Sequence, residues 1–360
     1  MKRTFLVLMI AVSIAFVGCK KEKNTVEPTP EEFSVGTGLF ILNEGTFTYA
    51  NSSLSFYDFD KNAVENNLFY RVNDAPIGDV GQSMTIIGDD LYIVVNNSRY
   101  IYKVNANTIK YKAKIEGFNS PRYMLQVSDD KAYVSDLESP GFWSMNLSTN
   151  ALTFIDYGSA TEAMVKVGNE VFMSNWSNYY VPTGSNKTIQ VIDCEADTLV
   201  ATIEVAQEPN SMVVDKNNHI WVSCSGGYYD GIHDQDPALI CIDPVTRSII
   251  KRFDFVPMND YPSGLTIDAT GENIYFMNGG YGTLNIYKVS ADATELPDTP
   301  FITSEGRVFY NLKVNPENGD LYVTDAKNYV QNGDLLHYSA DGTLLGTFSL
   351  GIIPSYMLFN

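Results

Sequence analysis

Histidine and cysteine are scarce in this chain, at three and four among 360 residues. That scarcity narrows the catalytic readings. Cys19, Cys194, Cys224 and Cys241 lack the paired spacing of a zinc site. No nucleophile elbow, phosphate loop or zinc motif appears. His219 and His337 fall in predicted strands and read as structural. His233 alone lies in a predicted loop, with Asp230, Asp234 and Asp236 nearby. Those carboxylates could ligate calcium, but the EF-hand pattern is absent. No catalytic residue, resident metal or cofactor is expected. Cys194, Cys224 and Cys241 read as small buried hydrophobes. A Cys224–Cys241 bridge between neighbouring strands stays open in an oxidising compartment.

Positive charge is also short. Lys and Arg total 24 against 43 Asp and Glu, for a net charge of −19. That balance disfavours nucleic acid and anionic lipid surfaces, which offer no counter-charge. Long apolar runs are missing except at the N-terminus. There Lys2-Arg3 precede the apolar stretch from Phe5 to Val17, which is too short to span a bilayer comfortably. The stretch ends Phe16-Val17-Gly18-Cys19, which resembles a bacterial lipoprotein cleavage site. A plain secretory signal is the alternative. The expected organisation is a signal peptide over 1–18, a flexible linker over 19–37 that begins at lipidated Cys19, and a folded domain over 38–360. The Pro- and Glu-rich composition up to Glu32 cannot build a core.

What the chain has is repetition. Gln82-Ser83-Met84-Thr85-Ile86-Ile87 is echoed by Arg122-Tyr123-Met124-Leu125-Gln126-Val127. Further echoes centre on Met164, Met212, Leu265 and Leu312, and the chain ends on Ser355-Tyr356-Met357-Leu358-Phe359. A spacing of about 40 to 50 residues with short strands is the signature of a β-propeller. Each unit continues with a polar turn and a second strand: Leu91–Val95, Lys131–Ser135, Glu170–Ser174, His219–Ser223, Asn273–Met277 and Asp320–Thr324. After a variable loop comes a third strand, such as Ile101–Val104 or Leu239–Asp243. A fourth, such as Ile109–Ile115 or Leu199–Val205, closes the unit. No helical window competes after residue 35.

The ends are complementary. Leu39–Asn43, Leu54–Phe59 and Ala63–Phe69 form a unit without a first strand, and Ser355–Phe359 is a first strand without a unit. The prediction is an all-β, seven-bladed propeller of four-stranded blades, whose first blade is closed by the C-terminal strand. Closure removes exposed sheet edges.

The loops after the second strands are long and rich in Tyr, Trp, Asn and Gly. Aromatic rings give flat contact at low entropic cost, and amides give paired donors and acceptors. This face supplies Phe47, Tyr49, Trp176, Asn178, Tyr179, Tyr180, Tyr228, Tyr229, His233, Asn278, Tyr281, Asn328 and Tyr329 as candidate ligand contacts. The channel mouth is expected at Gln82, Arg122, Glu162, Asn210, Ser263, Tyr310 and Ser355, polar where a buried strand should start apolar. Arg122 and Asn210 join the candidates, and Arg122 could pair with Glu162 across adjacent blades.

The repeats resemble YncE-like seven-bladed propellers. The likeness rests on Pro-x-x-Met/Leu starts (Pro121 to Met124, Pro209 to Met212, Pro262 to Leu265, Pro354 to Met357). It rests also on third-strand ends such as Ile192-Asp193…Thr198, Ile242-Asp243…Thr246 and Val104-Asn105…Thr108. With the lipoprotein signal, acidic balance and aromatic loop face, the whole resembles the BtuG family, surface vitamin B12-binding lipoproteins of gut Bacteroidetes. That resemblance implies a lipid-anchored outer-membrane surface protein. It would capture cobalamin as a transported ligand and hand it to a BtuB-like TonB-dependent outer-membrane receptor. Other readings stay open: a propeller lipoprotein for a glycan or other nutrient, a metal-dependent lyase of the streptogramin-lyase type, and a protein-binding scaffold.

Overall fold

A computed structural model describes residues 34–176, 186–226, 237–256, 260–280 and 282–360. Its strands form seven antiparallel sheets, each built from chain-adjacent strands except one. In that sheet the C-terminal strand Pro354–Phe359 lies beside Gly38–Asn43, followed by Ser53–Asp58 and Ala63–Glu65. Ile41 pairs with Met357 and Leu39 with Phe359. The C-terminus therefore supplies the inner strand of blade 1, as the incomplete first unit requires. Inner strands neighbour one another around the ring: Gly81–Ile87, Pro121–Gln126, Met164–Val167, Pro209–Val214, Ser263–Ile267 and Phe309–Val314 for blades 2 to 7. Blade 6 holds three full strands. The place of a fourth is taken by Ile302, bridged to Ile286.

The apolar core divides along the seams between blades. Phe40, Leu42 and Phe56 of blade 1 pack on Met84, Leu91 and Ile93 of blade 2. Tyr92 and Val94, the alternate residues of that same strand, pack on Met124 and Val134 of blade 3. The pattern runs around to Leu39, Ile41 and Met357 against Tyr322 and Leu335 of blade 7. A strand buried on both faces has no polar side to show. That is why the second strands read as continuous apolar runs.

Local side chains set the outer turns. Asn105 Oδ1 accepts the backbone N–H groups of Asn107 and Thr108 and the Thr108 hydroxyl, and Asn146 repeats this with Ser148 and Thr149. Asp193 and Asp243 receive the equivalent backbone bonds. Such Asx turns explain the Asn/Asp…Thr signature. Each is followed by a left-handed residue: Ile109, Asn150, Asp197 and Arg247 have φ of 58°, 58°, 55° and 56°. The β-branched Ile109 is strained there, and its complete burial between blades 1 and 2 offsets that cost.

Two expectations need correction. Ala63–Phe69 is not one strand: pairing ends at Glu65, and Leu68–Asn73 is a short helix. Leu68 and Phe69 drop into the seam between blades 1 and 2, while Asn73 bonds the carbonyls of Phe69 and Ile109. Six residues are too few for helical periodicity to register. The possible Cys224–Cys241 bridge also fails. Cys224 faces blade 4 and Cys241 faces blade 6, on opposite sides of one sheet. All three cysteines of the described residues are buried free thiols.

Candidate functional site

Each inner strand begins at the end of the ring that carries the loops after the second strands. Six of the seven slip register there: at Gly81/Ser83, Pro121/Met124, Pro209/Ser211, Ser263/Thr266, Phe309/Asn311 and Pro354/Tyr356. A bulge adds a residue and re-aims side chains that strict alternation would bury between blades. Gln82, Arg122, Asn210, Ser263, Tyr310 and Ser355 consequently line a central cavity of about 1060 Å³. Glu44, Glu162, Trp176, Glu208 and Tyr261 line it too.

Arg122 organises the mouth. Its Nε and Nη2 donate to Glu162 Oε2 and Oε1, each at 2.7 Å, and Nη1 donates to Gln82 Oε1 at 2.6 Å. Blades 2, 3 and 4 are thereby tied at one point. The Trp176 ring lies 5.8 Å from the guanidinium, within cation–π range. Burial opposes the charge on Arg122, but the Glu162 carboxylate outweighs it and holds the guanidinium protonated above its ordinary range.

A second polar group stands across the mouth. Glu44 follows the strand Gly38–Asn43, and the Tyr310 hydroxyl donates to it at 3.2 Å. Burial pushes the Glu44 carboxyl up to about 7, against the opposing pull of Arg122, Tyr310 and Ser355. Burial also raises Tyr310, and Glu44 adds to that. Tyr329 packs edge-on against Tyr310, with ring centres 5.9 Å apart.

The predicted contacts separate into groups. Arg122 and Trp176 meet at the mouth, and Tyr329 backs it. Phe47 and Tyr49 stand on the same end of the ring, 64% and 73% exposed. Asn328 is exposed, its Oδ1 accepting the N–H groups of Val330 and Gln331. Asn210 reaches the cavity, but its amide donates to the Pro262 carbonyl and accepts the Ser211 and Ser223 hydroxyls. Asn278 is buried, bonded to Asp260 and to the Tyr261 N–H. Both amides are engaged in the framework. Asn178, Tyr179, Tyr180, Tyr228, Tyr229, His233, Tyr281 and Cys19 lie outside the described residues.

Sequence reasoning missed Glu44 and the lumen residues Tyr123, Tyr356, Asn311 and Lys313. Nothing local marks them, because only the bulges and ring closure turn them inward. The two described histidines stand at the opposite end. His337 bonds Asp320 at 2.8 Å and stacks on Tyr322. His219 joins Asp215 and Cys241 in a grouping with metal-ligand types. There Asp215 already accepts the Trp221 indole N–H and the Asn217 and His219 backbone N–H groups. Burial pushes the Cys241 thiol up to about 12. The grouping reads as hydrogen-bonded framework.

Known structures share this architecture. A quinonprotein alcohol dehydrogenase-like protein from Bacteroides thetaiotaomicron superposes with a TM-score of 0.69 at 18% identity, covering 91% of this chain and 79% of its own. A putative 6-phosphogluconolactonase from Bacteroides fragilis gives 0.63 at 12% identity, covering 90% and 98%. Virginiamycin B lyase from Staphylococcus aureus gives 0.56 at 11% identity, covering 74% and 83%. Identities this low establish the fold alone. No curated protein matches the sequence. Residues 37–351 match the family described as Domain of unknown function (DUF5074), and the chain belongs to that family.

Proposed function

We propose that this protein is a surface-anchored binder that captures cobalamin over the channel mouth and passes it to a TonB-dependent outer-membrane receptor. One observation carries the reading. Aromatic side chains from blades 1, 4 and 7 gather on one end of the ring, around a cavity of about 1060 Å³ with a polar floor. Phe47 and Tyr49 expose large rings to solvent, and exposed apolar surface is the usual mark of a binding face. A corrin is broad and flat, so contacts from several blades suit it. Trp176 supplies the anchoring ring, fixed over Arg122. With Asn210 and Asn278 engaged internally, the side-chain amides of the ligand would meet Asn328 and the rim.

Calorimetry with cyanocobalamin tests the proposal. Wild type should bind at micromolar concentration or tighter. Trp176→Ala should lose roughly 2 kcal/mol, as central anchors do. No wild-type binding sinks the cobalamin reading and favours a glycan on the same rings. Equal binding by both proteins moves the site elsewhere. Membrane attachment through Cys19 is part of the proposal. Cys19→Ala should leave the membrane fraction, and a processed variant that stays there would refute the anchor.

A further inference from the structure

Arg122 and Glu44 both line the mouth, and neither has its hydrogen-bonding capacity filled. A guanidinium carries five N–H groups. Glu162 takes one from Nε and one from Nη2, and Gln82 takes one from Nη1. Two remain, one on each terminal nitrogen, and among the described residues nothing accepts them. Glu44 is fixed through its backbone, whose N–H donates to the Ile353 carbonyl at 2.8 Å. An ionised carboxylate has about four acceptor sites. The hydroxyls of Tyr310 and Ser355 are the donors Glu44 meets, which leaves acceptor sites open. Arg122 acts on Glu44 through space, yet no ion pair joins them among the described residues. Both groups reach the cavity. The Arg122 side chain keeps 15% of its surface exposed, and Glu44 is half-buried. Open donors on a cation thus stand apart from open acceptors on an anion, beside the flat Trp176 ring.

We propose that Arg122 and Glu44 together form a subsite for a primary carboxamide. The amide carbonyl oxygen accepts from the open N–H groups of Arg122, and the amide NH2 donates to the Glu44 carboxylate. Bonds to an ionised partner are the stronger ones. Selectivity follows from charge. A ligand carboxylate satisfies Arg122 but is repelled by Glu44, and an ammonium satisfies Glu44 but is repelled by Arg122. A ketone meets Arg122 alone. Glu162 does not compete for the amide, because Arg122 holds both its oxygens. Glu208, the other carboxylate of the cavity, accepts the Ser225 hydroxyl at 3.1 Å and adds to the rejection of anions. The inference rests on the mouth being the ligand site, as proposed above, and names the chemical group recognised there: one side-chain amide of the corrin reaches below the rim.

Benzamide is the probe, since its ring also offers Trp176 a stacking partner. Benzoate, acetophenone and benzylamine replace the amide by an anion, a ketone without a donor, and a cation. Ligand-observed NMR titrations use the whole protein at about pH 8, above the value of about 7 at which Glu44 ionises. Wild type should bind benzamide saturably and the three analogues roughly tenfold or more weakly. Glu44→Gln removes the repelling charge, so its preference for benzamide over benzoate should shrink to a few-fold. A merely structural role for Glu44 would leave that ratio unmoved. An unchanged ratio in a folded Glu44→Gln protein, or no saturable benzamide binding by wild type, would overturn the proposal. Benzylamine binding as tight as benzamide would overturn it too and assign the cavity to organic cations. Cyanocobalamin gives a separate readout. Cobalamin binding without benzamide selectivity overturns the carboxamide pair and leaves the mouth as the binding site. Benzamide selectivity without cobalamin binding supports the pair and sinks the vitamin.

Discussion

Arg122 donates twice to Glu162 across the seam between blades 3 and 4, at 2.7 Å in both bonds, with both side chains largely buried. The pair shapes the floor of the mouth and pins three blades through Gln82. Breaking one half strands the other as a buried charge. Arg122→Leu should therefore cost about 3 to 5 kcal/mol in urea unfolding. Adding Glu162→Leu should recover much of that loss, because the two sites couple. A single variant as stable as wild type would show that solvent already screens the pair.

Glu44 should make stability depend on pH. Its carboxyl titrates at about 7 in the fold against a reference of 4.5. Between those values the folded state keeps a proton that the unfolded chain releases. The stabilisation present below the reference value is lost as pH rises toward 7, then levels off. The effect is at most roughly 3 kcal/mol, reduced by solvent at the edge of the group. Glu44→Gln should flatten the melting profile between pH 5 and 8 and gain stability at the alkaline end. A wild-type profile with no such slope would disprove the shift.

Removing residues 354–360 should open the ring. Met357 is fully buried, and its strand supplies the inner edge of blade 1. Two sheet edges would be exposed and blade-to-blade burial lost. The truncated protein should aggregate or melt without cooperativity, as scanning calorimetry would record. An unchanged melting temperature would refute closure by this strand.

The thiols of Cys194, Cys224 and Cys241 should be silent in the native protein. All three are buried, and burial raises Cys194 and Cys241 above the ordinary thiol range. A thiol reagent should label them only after denaturation, with no reductant required. Rapid native labelling, or labelling that needs reduction first, would contradict the arrangement.

The repeat was legible because its signals are local. Met84, Met124 and their counterparts recur because every inner strand buries the same position. Asn105 and Asp193 mark turns because an Asx side chain bonds the backbone two and three residues on. The pairing of Pro354–Phe359 with Gly38–Asn43 followed from two incomplete ends. Part of the mouth was legible too, since Arg122 and Glu162 are polar where strands should begin apolar. Tertiary structure alone decided the rest. Leu68 and Phe69 become helical because a seam between two blades receives them. Cys224 and Cys241 part company because neighbouring strands present them to opposite blades. Glu44, Tyr123, Asn311 and Lys313 share one lumen because the bulges redirect strand ends and the ring closes around them. Sequence periodicity specifies each blade from its own residues; which side chains meet on the axis is fixed only when seven blades are held at once.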